Sequence, residues 1–351
     1  MRRKALETVV LLVILIFAEL NIIATIHAEG IPLEDNLKQS IIVSKNGDGD
    51  YTTIQEAVDN APDGSVVYVE KGSYSEIIDI KKELNLIGED KTNTIINPIS
   101  EKNKYAIRLG APGSVIKNFS ISNGASGLYT TGIRISASKT EINNCYIYDN
   151  PVGIASWSSD GIIDSCEFWG CEDEGIALIG SSLSSCSRNK ITNCMFYENC
   201  DGIELQYSSN NIISDCDFYE NTHTGIDAIA SSNDNNTISN CNIHDNEVHG
   251  IYLSSSSDNK IIDCSILNNN QGNIIINEYS YNNEIKTSVD SYLSSSTRSK
   301  ILTEFAQAYY ESDKEISKKS SIKNFFETIL SLMQILTKFE RNRQTLKKIV
   351  N

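Results

Sequence analysis

Between residues 140 and 275 one short pattern recurs six times: a polar residue, Cys, any residue, a large apolar residue and then usually an aromatic. It reads NCYIY from Asn144, SCEFW from Ser165, NCMFY from Asn193, DCDFY from Asp215, NCNIH from Asn240 and DCSIL from Asp263. A Gly follows each Cys by eight or nine residues, at Gly153, Gly175, Gly202, Gly225, Gly250 and Gly272, and Gly132 begins the series one unit earlier. Successive glycines are 21, 22, 27, 23, 25 and 22 residues apart, so the unit is about 23 residues with insertions. A period in the twenties, built from short apolar stretches and polar turns, confines the chain to a solenoid.

Within each unit the alternation has period two. Cys faces in, the next residue out, Ile or Phe in and the aromatic out, and the stretch after the Gly alternates in the same way. Period two means strands with one buried face, joined by Ser, Asn, Asp and Gly turns such as SSSSDNK and SSNDNNT. A leucine-rich repeat would need a helical segment and its own Leu spacing, and neither is present. The expected fold is therefore all-β, a single-stranded right-handed parallel β-helix. Residues 65–290 supply about ten coils, stacked about 4.8 Å apart into a rod about 50 Å long. Cys145, Cys166, Cys194, Cys216, Cys241 and Cys264 then form one inward column of buried thiols, whose parallel side-chain directions suit disulfides poorly. Cys171, Cys186 and Cys200 fall outside the column, and a disulfide among them stays open.

The ends read differently. A basic start, MRRK, precedes the apolar run Val9 to Ala18, as in a secretory signal cleaved after Ala28, with an uncleaved surface anchor as the alternative. Residues 29–64 form an N-terminal segment ending in a short helix, with Thr53 and Glu56 as a capping box. Residues 291–351 form a helical region. Its second helix, around 321–338, carries Ile322, Phe325, Phe326, Ile329, Leu330 and Met333 on one stripe, to be covered by the rod, a partner chain or a membrane surface. The net charge of −16 excludes nucleic acid as a favoured partner. Residues 298–351 carry 11 Lys+Arg against 6 Asp+Glu, so the rest of the chain is more acidic still.

The stretch from Ile42 to Ile96, with DGDYTTIQEAVDNAPDGSVVYVEKGSY, EIIDI and LNLIGED, resembles the opening of pectin methylesterases and other pectate-lyase-like β-helices. From Asn118 to Ile285 the repeat is similar to NosD-like and carbohydrate-binding, sugar-hydrolase β-helix proteins. The resemblance implies an extracellular or cell-surface protein whose partner is a polysaccharide or surface glycan. Catalytic motifs do not follow it. The Gly-x-Val-Asp-Phe-Ile-Phe-Gly segment of pectin methylesterases has no counterpart, nor does the Asp-Pro-His-Glu of mannuronan epimerases. Of the polygalacturonase set only Asp201 and His249 match, in NCDGI and VHGI.

Two surfaces carry candidate chemistry. After each Gly the outward positions are Ala177, Glu204, Asp227 and Tyr252 on successive coils, with Arg134 further up and Glu174, Asp201, His223 and His249 on the preceding turns. If register holds, Glu204 and Asp227 are neighbours about 5 Å apart, with Asp201, His223, His249 and Tyr252 around them. Such a set suits sugar hydrolysis, uronate elimination or epimerisation, and equally a solvated polar face. The second surface is Tyr148, Trp169, Tyr197, Tyr219 and His244, an outward aromatic strip on which a linear glycan could stack unless a helix covers it. His223, His244 and His249 show no tight ligand spacing, so no metal ligands are assigned. Stacked carboxylates leave Ca²⁺ as the cation to test. The expectation is a protein that binds, and cleaves or modifies, polysaccharide as a lyase, hydrolase or epimerase. Its alternative is a non-catalytic surface scaffold.

Overall fold

The computed structural model describes residues 40–98, 104–123, 130–289 and 292–294. The expected leader at 1–28 and the expected second C-terminal helix around 321–338 lie outside these residues, and with that helix the membrane or partner contact expected of it.

The described residues wind into a parallel β-helix. Ten strands, from Ile78–Ile80 to Tyr292–Ser294, form one all-parallel sheet in coil order, and nineteen, mostly of three residues, form the other. A central coil consists of Lys190–Thr192, Met195–Tyr197 and Asp201–Gln206. Each strand pairs in register with its equivalent one coil on, as in Met195↔Asp217, Phe196↔Phe218 and Tyr197↔Tyr219. The ladder begins at Ser40–Val43, which pairs with Ser65–Val69, so strand pairing starts well before residue 65.

The repeat pattern has a conformational cause. The polar residue before each Cys (Asn144, Ser165, Asn193, Asp215, Asn240, Asp263) turns the corner between the two short strands, with φ between 50° and 58°. Asn and Asp tolerate this left-handed region better than most residues. Each following thiol is buried and donates to the carbonyl two residues back, at 3.1–3.4 Å. Burial holds the Cys145, Cys166 and Cys194 thiols well above their usual range, so these three pack as neutral small hydrophobes, whereas hydrogen bonds with Cys194 and Cys241 lower Cys216. All nine cysteines are free, including Cys171, Cys186 and Cys200, so no disulfide joins those three. The recurring Gly is required by coil contact: a Cβ on Gly153 would stand 2.4 Å from Gly175 O, and one on Gly202 2.5 Å from Gly225 O.

Two buried asparagine columns run beside the Cys column. One comprises Asn199, Asn221, Asn246 and Asn269, the other Asn189, Asn211, Asn236 and Asn259. Asn221 is fully satisfied. Its Oδ1 accepts from Asn199 N (3.2 Å) and Nδ2 (3.1 Å), and its Nδ2 donates to Phe196 O (3.1 Å) and Asn246 Oδ1 (2.8 Å). Such a column ties the turns of successive coils together without leaving a buried polar group unpaired. Phe168, Phe196 and Phe218 stack beside it, with centroids 4.8 and 4.7 Å apart.

The N-terminal helix, α1 (Ile54–Asn60), packs against the strands Ser40–Val43, Ser65–Val69 and Ile78–Ile80. Its capping differs from the sequence expectation. Thr53 makes no side-chain cap bond, and Glu76 from the next coil takes the first two helical amides, Ile54 N and Gln55 N, at 2.9 Å each. A carboxylate at a helix N-terminus meets unsatisfied donors and the dipole, which a three-residue spacing within the helix cannot reveal.

Candidate functional site

The long-strand sheet carries the acidic cluster because its strands open with an irregularity. A Cβ on Gly153 would point inward, against Cys171 Sγ and Ile147, and the following Ile154 is core. Two successive inward residues reset the alternation, so the residue before each Gly and the residue after each Ile both face away from the core. That places Glu174 beside Ala177, Asp201 beside Glu204, Thr224 beside Asp227 and His249 beside Tyr252, coil upon coil. The register bears this out: Glu174↔Asp201, Ala177↔Glu204, Glu204↔Asp227, Thr224↔His249 and Asp227↔Tyr252. Glu204 and Asp227 are therefore neighbours, as the Gly spacing predicts. Arg134 is not: Ala155 and Ala177 separate it from Glu204.

The cluster is not a solvated face. Glu204 is 8% exposed and Asp227 4%, and Glu174 and Asp201 are buried as well. Each carboxyl is closed above and below by the residue in register on the next coil. Burial, followed by repulsion from Asp201 and Glu204, raises the Asp227 pKa to about 7. Burial, followed by Glu204 and Asp173, raises that of Glu174 to about 8. Burial also raises Glu204 and Asp201, against the hydrogen bonds that Gln206 and His223 give them. Asp173, Glu174, Asp201, Glu204 and Asp227 thus gather five carboxyls on three successive coils. At neutral pH such a group holds protons or a cation.

His223 is the accessible member, with its side chain 44% exposed. Its Nδ1 lies 2.8 Å from Asp201 Oδ1, which also accepts from Thr224 N at 2.8 Å, and 4.0 Å from Asp227 Oδ2. Asp227 Oδ1 is buried with no hydrogen-bond partner among the described residues. His249 and Tyr252 stack on each other, 5.6 Å apart, in register below Thr224 and Asp227. The structure thus joins Asp201, His223 and Asp227 directly, sets Glu204 beside Asp227, and places His249 and Tyr252 one coil on. It adds groups the sequence reading left unassigned. The charge of Glu204 acts on Glu174, Gln206 Nε2 donates to Glu204 Oε1, and Cys200 lies beside Asp201 and His223. The signal for Glu174 was its place directly before Gly175, the same place Asp201 holds before Gly202.

The aromatic strip forms with the predicted members and order. Tyr148–Trp169, Trp169–Tyr197, Tyr197–Tyr219 and Tyr219–His244 centroids are 4.8, 5.8, 5.1 and 5.5 Å apart, with rings parallel to within 8°. Their faces are spent on one another, so the strip presents ring edges. Sugar stacking needs a free face, which only the two end rings can offer. Asp217 and Asp245 flank His244 at 3.4 and 2.9 Å, and the hydrogen bond that the imidazole gives Asp217 leads in raising its pKa to about 8.

Comparison with known proteins agrees with this architecture. The family described as "Right handed beta helix region" matches residues 84–233 and 179–290. Pectinesterase/pectinesterase inhibitor 18 of Arabidopsis thaliana is 33% identical over 135 residues, 34% of this chain and 24% of that protein. A pectinesterase of Petunia integrifolia is 34% identical over 128 residues, 32% of this chain and 34% of that one. The chain thus spans about a quarter to a third of the length of these relatives. Among solved structures, the enzymatically active domain of the bacteriophage CBA120 tailspike protein 2 superposes with a TM-score of 0.52 at 15% identity, covering 66% of this chain and 40% of that one. At that identity the likeness concerns the fold.

Proposed function

The chain belongs to the right-handed β-helix family, and from that premise we propose that it acts on polysaccharide outside the cell, through the acid cluster on its long-strand sheet. The observation that carries this reading is the pair Glu204 and Asp227, buried neighbours on adjacent coils, with one Asp227 oxygen unpaired. Parallel strands set such carboxyls about 5 Å apart, the separation of retaining glycoside hydrolases rather than of inverting ones. A carboxyl that keeps its proton near neutrality serves as general acid, and its neighbour serves as base or nucleophile. His223, exposed and within 4.0 Å of Asp227, links the buried acid to solvent. Pectinesterases among the sequence relatives support a polysaccharide as substrate, and the basic, apolar start supports secretion.

The test is a panel of neutral and uronic-acid glycans, read both for retention and for new reducing or unsaturated ends, with Glu204→Gln and Asp227→Asn proteins beside the wild type. Product formation that the variants lose supports the proposal, and turnover unchanged in both removes this site. One observation favours the non-catalytic scaffold as second reading. The aromatic strip stacks on itself and so serves the rod, and retention without product or no retention at all would match that reading.

A further inference from the structure

The turn that leads into the long strand brings three different donor types together on two successive coils. Cys200 Sγ, a carboxylate oxygen of Asp201 and an imidazole nitrogen of His223 all lie within 4.8 Å of one another. In a tetrahedral zinc site with bonds of about 2.0–2.3 Å, neighbouring ligand atoms stand about 3.3–3.7 Å apart, so small side-chain adjustments suffice. The backbone beneath is fixed: Cys200 N donates to Cys171 O (3.2 Å) and Asp173 O (3.0 Å), and Thr224 N to Asp201 Oδ1 (2.8 Å). Cys200 is also the one cysteine of the nine that is not fully buried.

A second observation points to a ligand here. Asp227, 4% exposed, keeps Oδ1 buried without a hydrogen-bond partner among the described residues, while its Oδ2 is 4.0 Å from His223 Nδ1. A buried carboxylate oxygen left unpaired, on a side chain whose other oxygen reaches His223, is costly unless something occupies the space beside it. The donor set indicates what. Sulfur, imidazole and carboxylate together suit zinc and its first-row neighbours, whereas Ca²⁺ and Mg²⁺ take oxygen alone.

We propose that Cys200, Asp201 and His223 bind one zinc-class divalent cation, and that Asp227 faces its open fourth position, where it would orient a bound water. Three protein ligands with one open position is the arrangement of catalytic rather than structural zinc sites. The binding claim stands independently of the polysaccharide reading; only the use of the water rests on that reading. With the cation in place, Asp201 and His223 act as ligands, and Glu204 and Asp227 remain to move protons.

The experiment uses tag-free, full-length protein stripped with chelator and titrated with Co²⁺. One equivalent should bind and give a near-ultraviolet thiolate-to-cobalt charge-transfer band, which Zn²⁺ then displaces stoichiometrically. Cys200→Ser should abolish the band. His223→Gln, at a side chain 44% exposed, should weaken binding by more than the roughly 10–100-fold that loss of an outer-shell partner costs. Asp227→Asn should keep the band. An absent band in the wild-type protein, or a band that survives Cys200→Ser, overturns the site. Glycan turnover is measured in parallel on stripped and reloaded protein. Turnover that persists in full after stripping overturns the role of the metal-bound water and leaves the polysaccharide reading standing. A cobalt band with no turnover on any glycan supports the site while that reading fails.

Discussion

Replacing Asp227 by Asn should stabilise the protein at neutral and alkaline pH and lose that advantage in acid. The Asp227 carboxyl has an ordinary pKa of 3.8, and burial together with Asp201 and Glu204 raises it to about 7. Below about pH 4 the group is protonated in both folded and unfolded chains and costs nothing. As the pH rises, the unfolded chain releases its proton first, so the folded state loses stability until it too ionises near 7, after which the difference is constant. Each unit corresponds to about 1.4 kcal/mol, so the three-unit gap amounts to about 4 kcal/mol. Asp227 is only 4% exposed, so solvent screening removes little of it. The amide never ionises, and it escapes the penalty at every pH. The stability gap between variant and wild type should therefore open by about 3 to 4 kcal/mol between pH 4 and pH 8, about 10 °C in melting temperature for a domain of this size. Thermal unfolding followed by circular dichroism at pH 4.5, 6 and 8, in chelator, measures this slope. Any fixed cost of the new amide shifts all three points equally. A gap independent of pH, or one that closes toward pH 8, would refute the claim that a buried, strained carboxyl sits here.

Other consequences concern the rod and its thiols. Asn221→Ala removes the acceptor of Asn199 N and the amide that donates to Phe196 O in the core, while Asn199 Nδ2 keeps Phe168 O, and should cost about 2–4 kcal/mol, read as a lowered urea midpoint. Glu76→Ala removes the acceptor for the first two amides of α1 and should cost about 1–2 kcal/mol, with hydrogen exchange accelerating first at Ile54 and Gln55. Thiol titration without reductant should find one accessible cysteine in the native protein, slow to react because burial and nearby carboxylates raise its thiol to about 11, lost in Cys200→Ser, and nine after unfolding. Fewer than nine would mean that a disulfide forms after all.

The strand pattern was legible because Cys and Gly mark every coil at the same two places, and period two around them sorts inward from outward residues. The register between Glu204 and Asp227 follows from that spacing alone. What escaped is instructive in physical terms. Asn189, Asn211, Asn236 and Asn259 stand five residues before a column Cys, and Asn199, Asn221, Asn246 and Asn269 five after, so both asparagine columns were present in the period. They read as turn residues because polarity suggests exposure, yet in a stacked coil each amide finds its partners in the next. The same stacking buries Glu204 and Asp227, which strand alternation places outward and therefore in water. It also turns the aromatic strip against itself, since rings repeated about one coil apart meet face to face. Helix capping by Glu76 and the grouping of Cys200 with His223 join residues 22 and 23 apart, a separation that local motifs do not scan.

Whether Glu204 and Asp227 carry the chemistry is decided by product analysis with the Glu204→Gln/Asp227→Asn double variant. Incubated with the glycan panel, wild-type protein should release new reducing or unsaturated ends from at least one polysaccharide, and the folded double variant should release none. Equal product from both proteins would contradict the assignment of chemistry to this pair.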